Sequence, residues 1–305
     1  MARGLIRRLV FGLIAIAGVI VLAFLLEFVV PGDPAKAIAP RATSLQVLSN
    51  IRAQLHLSQP LIVQFADYFD NLLRGNLGTS YIQHQPVSSV IGPRLLTTGI
   101  LALAGVVAEV IIGGSLGIVA ALHSRVRALV SAVNLTLLAV PIFVLGLLLL
   151  LLFGFKLGIA PVSGGAGAAE LVLPALTLGL IGAPWYAQIV ADQMQESLAS
   201  SYVRTAVSKG LPDSYILRRH VLRNVLSPAI TMVGLDLGSY LSGVVTVEVV
   251  FVWPGIGLLA VNSLHNLDRP IVMGTVIVGA VAVVFFNLVA DLLRMFVDPR
   301  TREEM

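Results

Sequence analysis

Six long apolar runs divide the chain, at 9–30, 97–122, 128–153, 171–191, 228–249 and 271–293. Each holds about 20 residues or slightly more, the length an α-helix needs to cross a hydrocarbon core of about 30 Å. The pattern predicts an all-α membrane protein of six transmembrane helices, built as a single domain over 1–305. No Ser/Gly linker or low-complexity tail sets off a second part. Ala35-Lys36-Ala37 after the first run imitates a signal-peptidase site. The run itself, at roughly 22 residues, exceeds the 7–15 of a signal-peptide core, so it is read as an uncleaved helix.

Composition supports the membrane assignment. Hydrophobic residues make up 57% of the chain and charged ones 12%, with a mean hydropathy of +0.94. Soluble domains carry about 25% charged residues, and half that charge cannot coat a globule of this size. A cytosolic enzyme, a nucleic-acid binder and a disordered chain are therefore excluded. The absence of cysteine excludes disulfides and thiolate chemistry. The net charge of +4 is read as topology. Segments 1–8, 123–127, 192–227 and 294–305 hold 13 Lys and Arg in 61 residues, whereas 31–96, 154–170 and 250–270 hold 7 in 104. The denser set, with both termini, is expected on the cytoplasmic side. A large loop (31–96) then lies outside and a long loop (192–227) inside.

Both loops are patterned. Leu45, Leu48, Ile51 and Leu55 recur at helical spacing, and a second helix opens at Pro60 with Phe65, Phe69 and Leu72 or Leu73 along one face. These helices either pack on their own spans or dock a partner. In the inner loop, Tyr202–Lys209 reads as a helix stopped by Gly210, and a second helix opens near Pro212-Asp213. Leu217, Val221, Leu222 and Val225 face one way, and Arg218, Arg219 and Arg223 the other. A helix–Gly–helix element can be gripped by another protein or lie among lipid headgroups, and physics alone leaves both open.

No Lys or Arg falls inside the six runs, but acids do. Glu109 lies mid-way along the second and Asp236 and Glu248 lie in the fifth, while Glu27 and Asp291 lie near the ends of the first and sixth. A carboxylate in hydrocarbon costs a few kcal/mol or more, so each should face a polar pathway or a hydrogen-bonding neighbour. For Glu27, Glu248 and Asp291 the end positions favour the neighbour; for Glu109 and Asp236 both readings stand. Gly113-Gly114 and Gly117 permit close helix contact. Pro141, Pro174 and Pro184 should bend their helices. Trp253-Pro254-Gly255 reads as a re-entrant turn at the outer mouth. The five histidines show no ligand spacing, so no metal site is expected. A Walker A loop needs Gly-Lys-Ser/Thr. The three lysines, Lys36, Lys156 and Lys209, follow Ala35, Phe155 and Ser208, so this chain binds no ATP by that route.

The inner loop resembles the EAA loop of ABC importer permeases, in the form found in the dipeptide/oligopeptide/nickel permease family. Arg204-Thr205-Ala206 stand at the Glu-Ala-Ala position and Gly210 at the motif glycine. Further matches follow in order: Pro31-Gly32-Asp33-Pro34, Leu55-His56-Leu57-Ser58-Gln59-Pro60-Leu61, Gly75-Asn76-Leu77-Gly78-Thr79-Ser80, Trp253-Pro254-Gly255-Ile256-Gly257 with Glu248, and Asp298-Pro299-Arg300. The resemblance implies type I importer architecture in a bacterial plasma (inner) membrane. It implies a pore half that pairs with a second homologous permease and two ATP-binding subunits, which alone hold ATP and Mg. It also implies an extracytoplasmic peptide-binding protein that delivers di- or oligopeptides. The ATPase-coupling residues would be Tyr202, Arg204, Thr205, Ala206, Lys209, Gly210 and Leu211. The candidate translocation-pathway residues Glu109, Asp236 and Glu248 rest on their place within the apolar runs, and the resemblance adds nothing for Glu109. The competing reading is a self-sufficient secondary transporter or channel that uses the intramembrane acids.

Overall fold

The computed structural model describes residues 2–29, 32–39, 44–55, 57–161, 164–241 and 244–297. Pro31, His56 and Asp298-Pro299-Arg300 lie outside the described residues, as does the side chain of Glu27. The helices in chain order are α1 (Ala2–Val29), α2 (Pro34–Ile38), α3 (Leu45–Gln54), α4 (Leu61–Leu73), α5 (Val87–Leu122), α6 (Ser124–Ala139), α7 (Ile142–Leu149), α8 (Ala168–Ala199), α9 (Ser201–Ser208), α10 (Asp213–Ile216), α11 (Leu222–Leu241), α12 (Val245–Val250), α13 (Ile256–His265) and α14 (Arg269–Val297). Wider π-helical turns extend α7 over Leu150–Lys156 and join α10 to α11 over Leu217–Val221.

Among the described residues, four helices are long and apolar enough to cross a bilayer: α1 over Arg7–Leu26, α5, α8, and α14 over Arg269–Leu292. The expected third span is a pair, α6 and α7 with its extension, bent by 102°. Proline causes the bend. Pro141 has no N–H for the helix ladder and drives Val140 into extended backbone, with ψ 124°. Counted as one span, the pair makes a fifth crossing. The expected run 228–249 is divided between α11 and α12 and carries Asp236, Ser239 and Tyr240. In place of six uniform spans, the structure thus has four long helices, one bent pair and one broken, more polar element. α8 continues through both Pro174 and Pro184 as a single helix of 32 residues.

The centre of the bundle is the seam between α5 and α8, which run side by side in the same direction. Glycine brings them together. A Cβ at Gly117 would stand 2.6 Å from the Ala187 carbonyl oxygen, one at Gly105 2.7 Å from Leu178 Cδ1, and one at Gly113 would overlap the Ala183 carbonyl. Gly179 meets Ala108 in the same way from the other side. Without a hydrophobic drive between helices in lipid, such backbone approach is the main source of packing energy. α11 and α14 cross with similar intimacy at Gly234 and Ala290. α1 is held to α14 where Gly12 meets Val284 and Arg8 pairs with Asp291. The Arg8 pair gives the end acid Asp291 the neighbour expected of it.

One end of the bundle is closed by Val87, Ile91, Ile256, Leu259 and Ile271 and carries the 31–86 loop. Asp33 caps α2 by accepting from the Ala35 N–H at 3.1 Å, and it accepts from Arg52 Nη2 at 2.5 Å. The Arg52 hydrogen bond holds the Asp33 carboxyl below the usual carboxylate range. α4 leans on α1 through Phe65, whose ring stands edge-on to Phe24 at 5.1 Å. The loop before α5 is tied down by buried Asp268, which accepts from the Ser80 hydroxyl and, at 3.0 Å, from the Tyr81 N–H. The apolar face expected of α3 is only partly used: Leu48 is buried, and Leu45 is 85% exposed.

The seam discriminates between adjacent glycines. Nothing lies within 4 Å of a Cβ built at Gly114. Gly113→Ala and Gly117→Ala should therefore each destabilise the purified protein by about 1–3 kcal/mol through overpacking. Gly114→Ala should leave the thermal unfolding temperature unchanged. Equal effects at 113 and 114 would contradict the seam.

Candidate functional site

At the end opposite the 31–86 loop, α8 stops at Ser200, whose backbone turns extended (ψ 156°) while its hydroxyl donates to the Ser197 carbonyl at 2.5 Å. α9 follows at once. It ends where the Gly210 N–H donates to the Val207 carbonyl at 2.9 Å and the Leu211 N–H to Ala206 at 3.3 Å. Gly210 has φ +74°, with open space around a built Cβ. Conformation alone, not crowding, thus demands glycine there.

α9 has two faces. Val203 and Ala206 are buried against Val190, Met194, Ile216, Val221 and Val225, and Leu211 packs on the same cluster. Tyr202, Arg204, Thr205, Lys209 and Gly210 are exposed. Of the seven residues expected to meet an ATPase, Ala206 and Leu211 therefore face the bundle and serve as the seat of α9. Val207, 56% exposed, stands on the outer side within the Tyr202–Leu211 contact; Tyr215, 48% exposed, also stands on the outer side and was not among the expected coupling residues. Asn224 of α11 steadies the surface by donating to the Tyr202 hydroxyl at 2.6 Å.

Half-way along the bundle, α5, α8 and α11 bring two acids and two tyrosines together. Tyr186 donates its hydroxyl to Asp236 Oδ2 at 2.6 Å, and Tyr240 donates to Glu109 Oε1. Gly182 leaves room for the Glu109 carboxylate, which a Cβ there would strike. Glu109 is fully buried, and its Oε2 has no hydrogen-bond partner among the described residues. Asp236 is half-buried. The two acids proposed from sequence do share one cluster. The tyrosines that hold them were missed, although Tyr240 lies one turn from Asp236 on the same helical face.

Glu248 belongs elsewhere. It is fully buried, accepts from the Thr98 hydroxyl at 2.6 Å through Oε1 and from the Leu258 N–H at 2.9 Å through Oε2. It thus caps the start of α13 from a distance, satisfying amide groups that have no partner inside that helix. Gly255 and Gly257 lie so close that side chains there would meet the carboxylate. The Trp253-Pro254-Gly255 turn is locked to α5 beside it: buried Trp253 donates Nε1–H to the Thr97 carbonyl at 3.1 Å, and Thr97 donates to the Pro254 carbonyl at 2.5 Å. Both Glu248 oxygens are engaged with donors from α5 and α13, the hydrogen-bonding neighbours that its end position favoured. Among the described residues, no group of three or more His, Asp or Glu is placed to hold a metal.

Glu248→Ala would strand the Thr98 hydroxyl and the α13 amide groups in a dry site. It should cost about 2–4 kcal/mol of stability, read as a lower unfolding temperature and less assembled protein. The half-saturating substrate concentration of what does assemble should not change. A transport defect at full stability would overturn the structural role.

Comparisons with known proteins agree with this architecture. Residues 113–303 match the family described as binding-protein-dependent transport system inner membrane component, and residues 1–102 match its N-terminal companion. The glutathione transport system permease protein of Salmonella typhimurium is 37% identical over 286 residues, covering 93% of this chain and 94% of that protein. The same permease of Escherichia coli K12 is 35% identical over 284 residues, covering 92% and 93%. A solved structure of the MetNI methionine ABC transporter in inward-facing form overlays with a TM-score of 0.55, covering 68% of this chain and 96% of that one. At 15% identity it speaks for the fold alone. The chain belongs to the binding-protein-dependent transport system inner membrane components: it is a multi-pass inner-membrane permease subunit of an ABC importer of the peptide/nickel type.

Proposed function

We propose that this subunit couples ATP hydrolysis on partner proteins to the inward passage of short peptides. One observation carries the reading. α9 is a separate helix seated by Val203 and Ala206, offering Tyr202, Arg204, Thr205, Val207 and Lys209 to the aqueous side at the position of the family's EAA loop. Such a helix can lie in a cleft of an ATPase subunit, where Arg204 and Lys209 meet acids and Tyr202 and Val207 fill an apolar notch. The density of Lys and Arg places α9 and both termini in the cytoplasm, and the 31–86 loop outside. ATP and Mg are then held by two ATP-binding subunits. A second homologous permease completes the pore, and an extracytoplasmic binding protein supplies the substrate. Glutathione, named for the relatives, is itself a peptide, which supports a di- or oligopeptide cargo.

When the ATPases close, α9 is pulled and α8 and α11 move with it through the shared apolar seat. Asp236 is the member of the acid cluster within reach of a passing peptide amino group. Glu109, beneath Tyr240, fixes the position of α11 and comes into play only when Tyr240 moves. Glu109→Gln should therefore weaken uptake more than assembly.

The test is affinity purification of the tagged chain from its native membrane, with its companions identified by mass. A second six-span permease and P-loop ATPases are expected. A chain recovered alone would overturn the coupling role and favour a secondary transporter built on Glu109 and Asp236. In the same preparation Gly210→Val, which forces a β-branched residue to φ +74°, and the double charge reversal of Arg204 and Lys209 should each lower ATPase recovery at least tenfold while the chain still inserts. Unchanged recovery in both would refute the assignment of α9.

A further inference from the structure

Helix α4 carries more apolar surface than the chain covers. At 3.6 residues per turn, Ile62, Phe65, Ala66, Phe69, Leu72 and Leu73 fall within an arc of about 120°. No residue of α4 is buried. One side of the arc, with Phe65 and the neighbouring Tyr68, faces α1, where the two rings stand 5.1 and 6.3 Å from that of Phe24. The other side is open: Ile62 is 83%, Phe69 39% and Leu73 73% exposed. The polar side of the helix faces the rest of the chain. Gln64, Asp67 and Asn71 line a cavity of about 880 Å³ whose walls also include Tyr81 and Pro270, and Ile62, Phe69 and Leu73 take no part in that lining. An amphipathic helix on a protein in water turns its polar side out and its apolar side to the core. Here the apolar edge is the one turned out.

The contact with α1 sets the depth of this edge. Phe24 lies inside the Arg7–Leu26 span. Rings lead from it without a break to the open side of α4: Phe24 meets Phe65, and Phe65 stacks on Phe69 at 6.1 Å. On α1, Val21 and Leu25 close to Phe24 are themselves exposed, as the lipid-facing residues of a span are. The open edge of α4 therefore continues the lipid surface of α1. With 13 residues, about 20 Å of helix, α4 is too short to cross a hydrocarbon core.

We propose that α4 is an in-plane membrane anchor. It lies in the bilayer interface at the 31–86 end of the bundle, with Ile62, Phe69 and Leu73 among the acyl chains and Gln64, Asp67 and Asn71 turned to the polar cavity. The leaflet it enters rests on the topology proposed above; its burial in lipid does not. A protein neighbour would also cover an apolar edge, but this edge is continuous with α1, whose span is only 11% buried in the chain and whose natural surroundings are lipid. The anchor holds one wall of the cavity at a fixed height beside α1, so the loop above is tied to the membrane as well as to the bundle.

The experiment uses the whole complex, purified with its companions and reconstituted in nanodiscs. The chain has no cysteine of its own, so Ile62→Cys, Leu73→Cys and Asp67→Cys each place one bimane fluorophore on it. The unsubstituted complex, labelled in parallel, supplies the background. Quenching needs no coupled ATPase, so its outcome is separate from that of the coupling role. Phospholipid brominated along its acyl chains should quench the labels at 62 and 73 at least twofold, and iodide in the water should barely reach them. The label at 67 should show the reverse. The label at 62 decides the matter alone if Leu73→Cys does not assemble. Quenching at 62 and 73 by iodide rather than by brominated lipid would put the edge in water and overturn the proposal. Labels at 62 and 73 that neither quencher reaches, while the one at 67 still responds to iodide, would assign the edge to a protein neighbour and overturn it as well.

Discussion

Backbone contact between α5 and α8 is the constraint on which the rest of the structure depends. The two helices approach until a carbonyl of one faces a glycine of the other, at Gly113 and Ala183 and again at Gly117 and Ala187. Larger side chains there would push the helices apart by the width of a methyl group or more. The displacement would reach every element that straddles the seam. Gly182 lies on it and makes the space in which the Glu109 carboxylate rests. Tyr186, one turn further on, reaches Asp236 from the same helix face. The acid cluster is thus a product of the seam: α8 can present a glycine and a tyrosine to α5 and α11 only at this separation.

Polar groups in the bundle are distributed by how completely they are satisfied. Glu248 is surrounded by donors from Thr98 and the start of α13, and it ties the broken α11–α12 segment to α5. Asp268 does the same for the loop, through Ser80 and the Tyr81 N–H. These two act as rivets, and their removal costs stability. Among the described residues, Glu109 and Asp236 are held by one tyrosine hydroxyl each. A single hydrogen bond from a side chain that can rotate is a far weaker tether than a carboxylate bonded to fixed backbone amides. The structure therefore separates acids that hold it together from acids whose partners can leave.

Much of this was legible in the sequence. Apolar length located the four long helices because a membrane span must hide its backbone within one segment. Gly210 was identifiable as a helix stop because its role is conformational and local. Two things escaped. The divided 228–249 run and the 102° bend at Pro141 depend on what neighbouring helices supply to a broken backbone, which no window of sequence records. The partners of Glu248 escaped for a related reason: they lie 150 residues away at Thr98 and 10 away at Leu258. An acid near the end of an apolar run looks the same whether it lines a pathway or caps a distant helix. Ala206 and Leu211 were named with the exposed coupling residues because a motif names positions, not faces. Only the buried cluster around Val221 shows which way they point.

The same cluster determines how a load at α9 is carried. Val203 and Ala206 rest against Val190 and Met194 of α8 and against Val221 of the π-helical turns and Val225 of α11. A force on the exposed face of α9 is thus shared by two helices. α8 is unbroken over 32 residues, about 48 Å at the rise of an α-helix, so displacement at its α9 end reaches Gly182 and Tyr186 with little loss. α11 is entered through π-helical turns at Leu217–Val221, where the ladder is already loosened and bending is cheapest. A stiff helix and a compliant one driven from the same seat must slide past each other. The contacts that cross between them half-way along are Tyr186 to Asp236, with Tyr240 to Glu109 alongside. The acid–tyrosine pairs sit where relative motion of α8 and α11 would be felt, which joins the α9 seat to the acids within the bundle.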